Sequence, residues 1–133
     1  MEDKILNNSL IVLLGTLGSI LVGTWDNNIQ ILFLFLLTDY ISGIMKGIKE
    51  KNISSQLGFK GILKKIAIFM VIIIAHQLDI ISNLENPMFK TMTIYFYIGN
   101  EGISIIENLS ALGVIFPKFI EERLKNIQEN NTK

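Results

Sequence analysis

The chain contains no cysteine. Disulfides, thiolate nucleophiles and cysteine-ligated metal centres are therefore excluded together. A single histidine, His76, cannot supply the several imidazoles that a multi-histidine zinc site takes from one chain. Arginine is reduced to Arg123, and 12 basic side chains face 12 acidic ones, for a net charge of zero. Without a positive excess, no nucleic-acid partner is expected. No glycine-rich loop follows a strand-like run and no Ser–His–Asp set stands out. The residues therefore carry no reading as an enzyme and imply no cofactor.

Apolar residues are what the chain has in quantity. They make up 50% of 133 residues, and the mean hydropathy is +0.45, which a soluble domain of this length rarely reaches. An all-α membrane protein is the expectation. Four apolar blocks stand out. SLIVLLGTLGSILVGT covers roughly 9–24, and IQILFLFLLTDYISGIMKGI covers roughly 29–48. A third covers roughly 62–81 around IAIFMVIIIA, and a fourth roughly 92–116, including YFYIGNEGISIIENLSALGVIF. A membrane helix needs about 20 residues to cross about 30 Å. The first block is short and would span with local thinning or with help from its neighbours. About four transmembrane helices are expected, or three if the first or fourth block lies flat. Met1-Glu2-Asp3-Lys4 lacks a basic n-region and no small-x-small cleavage site follows, so the first block is read as retained.

Charge placement gives an orientation. Lys46, Lys49, Lys51, Lys60, Lys64 and Lys65 stand between or beside the second and third blocks, against Glu50 alone. Lysine-rich short connections stay in the cytoplasm, so Lys49, Lys51, Lys60, Lys64 and Lys65 are read as a cytoplasmic basic loop. WDNN at 25–28 and SNLENPMFKT at 82–91 are poor in cations, whereas the tail 117–133 carries Lys118, Arg123, Lys125 and Lys133. A single multi-pass domain over 1–133 with both ends cytoplasmic satisfies these asymmetries. After Pro117, the residues Phe119, Ile120, Leu124 and Ile127 mark one face. They predict a short amphipathic helix on the inner membrane surface, with a solvated, fraying tail as the alternative.

The fourth block is polar on one side. At about 100° per residue, Asn100, Glu101, Ser104, Glu107 and Asn108 fall with Thr93 and Tyr97 on about one third of the circumference. Ile94, Ile98, Ile103, Ile105, Ile106, Leu109 and Leu112 fill the rest, an arc suited to lipid or to packed helices. A charge near the bilayer centre costs about 2.5–3.5 kcal/mol on insertion scales. The stripe is therefore read as facing a wet cavity or another subunit. An interfacial helix, or protonated carboxylates bonded within the bundle, are the alternatives. In the second block Asp39, Ser42, Gly43 and Lys46 share a face. Asp39 and Lys46 are too far apart on a straight helix to touch, so a partner for Asp39 from another helix or subunit is expected. The alternative is one satisfied, buried carboxylate.

Gly15, Ser19 and Gly23 recur at spacings of four, and Gly43 with Gly47 forms a weaker instance. Small residues so spaced allow close helix packing in lipid, and the partner helix stays open. His76 shares a line with Lys65, Asp79 and Asn83 and reads as an interfacial or hydrogen-bonded group rather than a proton relay.

LTDYISGIMKGIKEKNISSQLGFKGILKKIAIF, followed by GNEGISIIENLSALGVIFPKFI, resembles the phage lysis and toxin-secretion holins of low-GC Gram-positive bacteria. The likeness runs from about 31 to 125 and rests on D-Y-x-x-G, G-F-x-G-x-x-K-K and N-E-x-x-S-I-x-E-N. Its motif positions are Asp39, Gly43, Gly61, Lys64, Lys65, Asn100, Glu101, Ser104, Glu107 and Asn108. The resemblance implies a homo-oligomer in the bacterial cytoplasmic membrane that opens lesions. Its functional partner would be an endolysin or a large toxin that leaves through them. No second methionine precedes Met45, so timing by two nearby starts finds no support.

Two other readings stand beside it. One is a small four-helix proton-coupled transporter, although such proteins usually carry the key acid in a first span that is here uncharged. The other is an antiholin-type inhibitory partner with the same packing surfaces. Expression alone in a bacterium separates the first pair. Leakage of a folded cytoplasmic marker is expected for a holin; saturable ion or drug flux without protein leakage is the transporter outcome.

Overall fold

A computed structural model describes residues 1–83 and 85–130, apart from the side chains of Glu2 and Asp3. Lys133, counted above among the cations of the tail, lies outside the described residues. The described elements are all helical: α1 (Glu2–Val22), α2 (Asn27–Lys49), α3 (Ser55–Ile81), α4 (Met88–Ala111) and α5 (Lys118–Asn130). Two of them are long and apolar enough to cross a membrane, α1 over Lys4–Val22 and α2 over Asn27–Lys49.

The helix limits depart from the apolar blocks for local reasons. α1 begins well before residue 9, because backbone hydrogen bonding continues through polar Lys4, Asn7 and Asn8. Its apolar stretch reaches 19 residues, so the first block is not short. Asp26 caps α2 by accepting from the Ile29 amide at 3.0 Å. Ser54 caps α3 by accepting from the Leu57 amide at 3.1 Å, which starts that helix at Ser55 rather than near 62. Lys60, Lys64 and Lys65 therefore belong to α3 and not to a loop; Lys49 ends α2 and Lys51 occupies the turn. α4 stops at Ala111 instead of 116. Gly113, at φ +93°, turns the chain, and the Val114 amide donates back to Leu109 at 3.0 Å. Val114 and Ile115 stay apolar but outside any helix.

One apolar core joins three helices. Ile29, Leu32 and Leu36 of α2 meet Ile68 and Ile72 of α3 and Ile94 and Ile98 of α4, with Val22 at the edge. Helix α4 is central, packed against α2, α3 and α5. Its isoleucine arc is thus not a lipid face: Ile94, Ile98, Ile105 and Ile106 are buried within the protein. Helix α1 packs against α3 alone and is almost wholly exposed, leaving Leu10, Ile11, Leu14 and Leu17 uncovered.

Polar ties hold the two ends. Asp79 of α3 accepts from the Phe89 and Lys90 amides, each at 2.8 Å, and so caps α4. The buried Lys90 ammonium donates to the Thr24 carbonyl at 3.0 Å, joining the α1–α2 turn to the same end. At the opposite end Lys49 Nζ donates to the Ala111 carbonyl at 2.6 Å.

Helix α5 does not spread its apolar face on a membrane surface; it folds back along α4. Ile120, Leu124, Ile127 and Gln128 are partly covered, whereas Phe119 is 71% exposed and leaves the expected face. The approach is close because α4 offers glycines. A Cβ on Gly99 would lie 2.9 Å from the Gln128 backbone nitrogen, and one on Gly102 would lie 2.8 Å from a Leu124 methyl. Gly99→Val is expected to displace α5, since overpacking costs roughly 1–3 kcal/mol. Limited trypsin digestion should then cut at Arg123 and Lys125 faster than in the parent. Gly15→Val, where a Cβ meets open space, should leave the rate unchanged.

Candidate functional site

Asp39 faces α3 and α4 because it lies seven residues after Leu32 on the inward side of α2. Lys65 reaches the same point from α3 and Glu101 from α4. Lys65 Nζ stands 2.7 Å from Asp39 Oδ2 and 2.9 Å from Glu101 Oε2. The Glu101 side chain is fully buried, and those of Lys65 and Asp39 are 15% and 14% exposed. Lys64 Nζ lies 3.6 Å from Glu101 Oε1, close enough to answer its charge. That oxygen accepts no hydrogen bond among the described residues. Two carboxylates thus meet one enclosed ammonium, Lys65, inside a three-helix junction, with the Lys64 ammonium, 57% exposed, at its rim.

An amide layer completes the site. Asn108 Nδ2 donates to Asp39 Oδ1 and to Ser42 Oγ, each at 3.2 Å, while Ser42 Oγ donates to the Asp39 carbonyl at 3.0 Å. Gly43 lies beside this amide, where an added Cβ would stand 3.6 Å from Asn108 Nδ2, an ordinary contact. Ser104 and Lys46 line the adjoining cavity. The partner expected for Asp39 from another helix is therefore Lys65, in the same chain.

The polar stripe of α4 divides among three surroundings. Glu101 and Asn108 turn into the junction. Asn100 turns to α5, accepting from Gln128 Nε2 at 3.4 Å. Glu107 points outward, exposed, without an ion pair among the described residues. A single-helix projection gives relative angles but not which neighbour stands at each angle, and α2, α3 and α5 each take part of the circumference. On α5 itself Lys125 lies 2.6 Å from Glu121, and this contact holds the exposed Glu121 carboxyl below its usual range.

Of the small residues, Gly43 sits at a helix–helix contact. A Cβ on Gly15 would meet nothing within 4 Å and Ser19 is exposed, so their face has no partner among the described residues. Gly23 is not a helical ladder position: it ends α1 at φ +76°, with the His76 ring against it. Gly47 packs on its own turn, near Ile53 and the Asn52 carbonyl. His76 has a buried Nδ1 without a hydrogen-bond partner among the described residues.

Lys90, Asp79 and the Gly99–Gly102 contact escaped the sequence reading. Asp79 carried a signal. A carboxylate in the last turn of a helix opposes that helix's dipole, so its use lies elsewhere, here at the start of α4. Gly99 and Gly102, three apart, had the spacing of a close helix contact.

Removing one partner of a buried pair is costly, about 3–5 kcal/mol. Glu101→Leu, which strips Lys65 of one carboxylate, is expected to destabilise the detergent-solubilised protein by about that amount. Adding Lys65→Met together with Asp39→Leu, which removes all three charges of the cluster, should recover much of the loss, read by thermal unfolding of the single and triple variants. Equal or additive losses would mean that the charges act independently.

A model of the bacteriophage holin family matches residues 16–129. An uncharacterised protein of Clostridium perfringens is 44% identical over 121 residues, spanning 91% of this chain and 90% of the relative. An uncharacterised protein of Listeria monocytogenes is 41% identical over 113 residues, spanning 85% and 77%. A probable holin of Bacillus phage phi105 is 36% identical over 103 residues, spanning 77% and 76%. No solved structure matches. The holins are not an enzyme family, and with two helices fit to cross a bilayer the comparison points to a membrane. The motifs that meet in the Asp39–Lys65–Glu101 junction fall within the matched span, and the chain belongs to the bacteriophage holin family.

Proposed function

We propose that this chain is a holin of the bacterial cytoplasmic membrane, whose copies gather and open lesions for an endolysin or a large toxin. The reading includes four spans, α1 to α4, with both ends in the cytoplasm as one multi-pass domain. One end carries Thr24 of the α1–α2 turn and Asp79 in the last turn of α3, and the other carries the lysines from Lys46, near the end of α2, to Lys65 in the first half of α3. That separation supports the lysine-rich end as the cytoplasmic one.

One observation carries the reading: the exterior has two unlike sides. Along α1, α2 and α3 the exposed residues are mostly apolar, including Leu14, Phe33, Leu34, Leu37, Met70 and Ile74, with charged ones such as Lys4, Lys49 and Lys60 towards the helix ends. The other side is charged. α5 runs back along α4 past Gly102 to Gly99, about halfway along it, and shows Glu122, Arg123, Lys125 and Glu129 outward. Glu107 of α4 is exposed as well. At membrane depth each such charge in lipid costs about 2.5–3.5 kcal/mol, so this side requires water. Several copies with apolar sides outward and charged sides inward share one wet space. The unpartnered Gly15–Ser19 face of α1 is available for contacts between copies. In this reading Asp39, Ser42, Glu101 and Asn108 hold the protomer together, and Lys46 and Ser104 line the cavity beside them. The wet boundary is formed by α5 and Glu107.

The absence of cysteine makes the test direct. Single-cysteine variants at Glu129, on α5, and Ile11, on α1, are placed in vesicles and exposed to a membrane-impermeant thiol reagent. Glu129→Cys should label readily and Ile11→Cys should be protected. Equal protection of both sinks the reading. Glu107→Leu should also delay marker leakage from expressing cells, and Glu107→Asp should restore it.

A further inference from the structure

The lysine-rich end holds two adjoining spaces of opposite chemistry. The first is a cavity of about 510 Å³ between α2, α3 and the inner end of α4, within the range of small-molecule sites. Its wall includes Lys46, Lys64, Lys65 and the start of α3 at Ser54 and Ser55. Asp39 and Glu50 line it too. Lys65 is committed to Asp39 and Glu101, Lys64 lies 3.6 Å from Glu101 with its side chain 57% exposed, and Lys46 makes no ion pair among the described residues. Across residues 46–65 six lysines stand against Glu50, so the potential at this end is positive.

The second space is a groove of about 210 Å³ between α2 and α3. Phe33, Leu36, Leu37, Ile62, Ile66 and Phe69 make its walls, and it shares Tyr40 and Lys65 with the first. The Tyr40 ring lies at the join, against Gly58 and Gly61. From Tyr40 to Phe33 on α2, and from Ile62 to Phe69 on α3, the groove follows two helical turns, about 10 Å, away from the lysines. A chamber with three lysines on its wall opens into an almost wholly apolar groove that runs parallel to the helices. Two such spaces sharing a wall fit an amphiphile rather than a free ion or a purely apolar molecule.

We infer that the α2–α3 face binds one anionic phospholipid. Its phosphate sits in the cavity near Lys46, Lys64 and the α3 amino end, and one acyl chain lies in the groove beyond Tyr40. An anionic headgroup is favoured over a zwitterionic one because a choline would set a second cation among the lysines. The inference rests on the membrane placement proposed above, and bound lipid is measured without reference to leakage, so either can fail while the other stands.

The test uses the purified full chain in detergent, offered equal phosphatidylglycerol and phosphatidylcholine, with retained lipid counted by native mass spectrometry. Phosphatidylglycerol should be kept in about tenfold or greater preference, the order expected from two lysines near a headgroup. Lys46→Gln with Lys64→Gln should abolish the preference, and Lys118→Gln on α5 should leave it intact. Ile66→Trp, which fills the groove, should weaken phosphatidylglycerol retention while glycerol phosphate binding stays as in the parent. Equal retention of the two lipids by the unaltered chain overturns the inference and needs no variant to fold. Glycerol phosphate binding as tightly as the intact lipid also overturns it, leaving a phosphate site alone.

Discussion

The Lys65 ammonium, held between the Asp39 and Glu101 carboxylates, is the contact on which the other placements depend. Each partner comes from a different helix, and none can move along its axis without leaving a charge unanswered in a buried setting. Such a cluster adds little net stability compared with an apolar core, because desolvation offsets the attraction. Its effect is on position. A slide of one turn, about 5.4 Å, would separate every pair, whereas the isoleucines above could repack. Register is thus set by charge, and close packing by the apolar layer.

With α2, α3 and α4 in register, the rest follows from what space remains. The fourth side of α4 carries Gly99 and Gly102, and α5 returns into that shallow surface. Asn100 then meets α5 instead of water, and Glu107, beyond the covered part, stays exposed. Helix α1, tied to the bundle near Val22 and along α3, keeps its apolar surface for whatever surrounds the protein. Lipid fits that surface on one side and water fits α5 on the other. This asymmetry connects the packing of a protomer to the proposed behaviour of many.

The buried charges therefore have two separable roles. Glu101, Asp39 and Lys65 neutralise one another within a protomer and need no assembled lumen to be tolerated. The outward charges of α5 and Glu107 have no such answer among the described residues, apart from the local Glu121–Lys125 pair, and it is these that the proposed assembly would have to hydrate. Helical projection of the fourth block placed Glu101 and Glu107 on one stripe, yet they do unrelated work.

Much was legible in the chain itself. Hydropathy marked helical segments and three motifs identified the family, while the caps Asp26 and Ser54, local as they are, came to light only in the structure. These properties are local: they depend on hydrogen bonding and polarity within a turn or two. What the sequence could not determine was which side of each helix meets which neighbour. Lys65 looked like one of several loop lysines, and its role between two acids exists only because α2 and α4 arrive from 26 and 36 residues away. Asp79 over α4, Lys90 on Thr24 and α5 in the Gly99–Gly102 surface are likewise products of packing. The azimuth of a helix is a property of the whole bundle, fixed by the joint requirement that buried charges be paired and glycine surfaces be filled, and only the tertiary structure decides it.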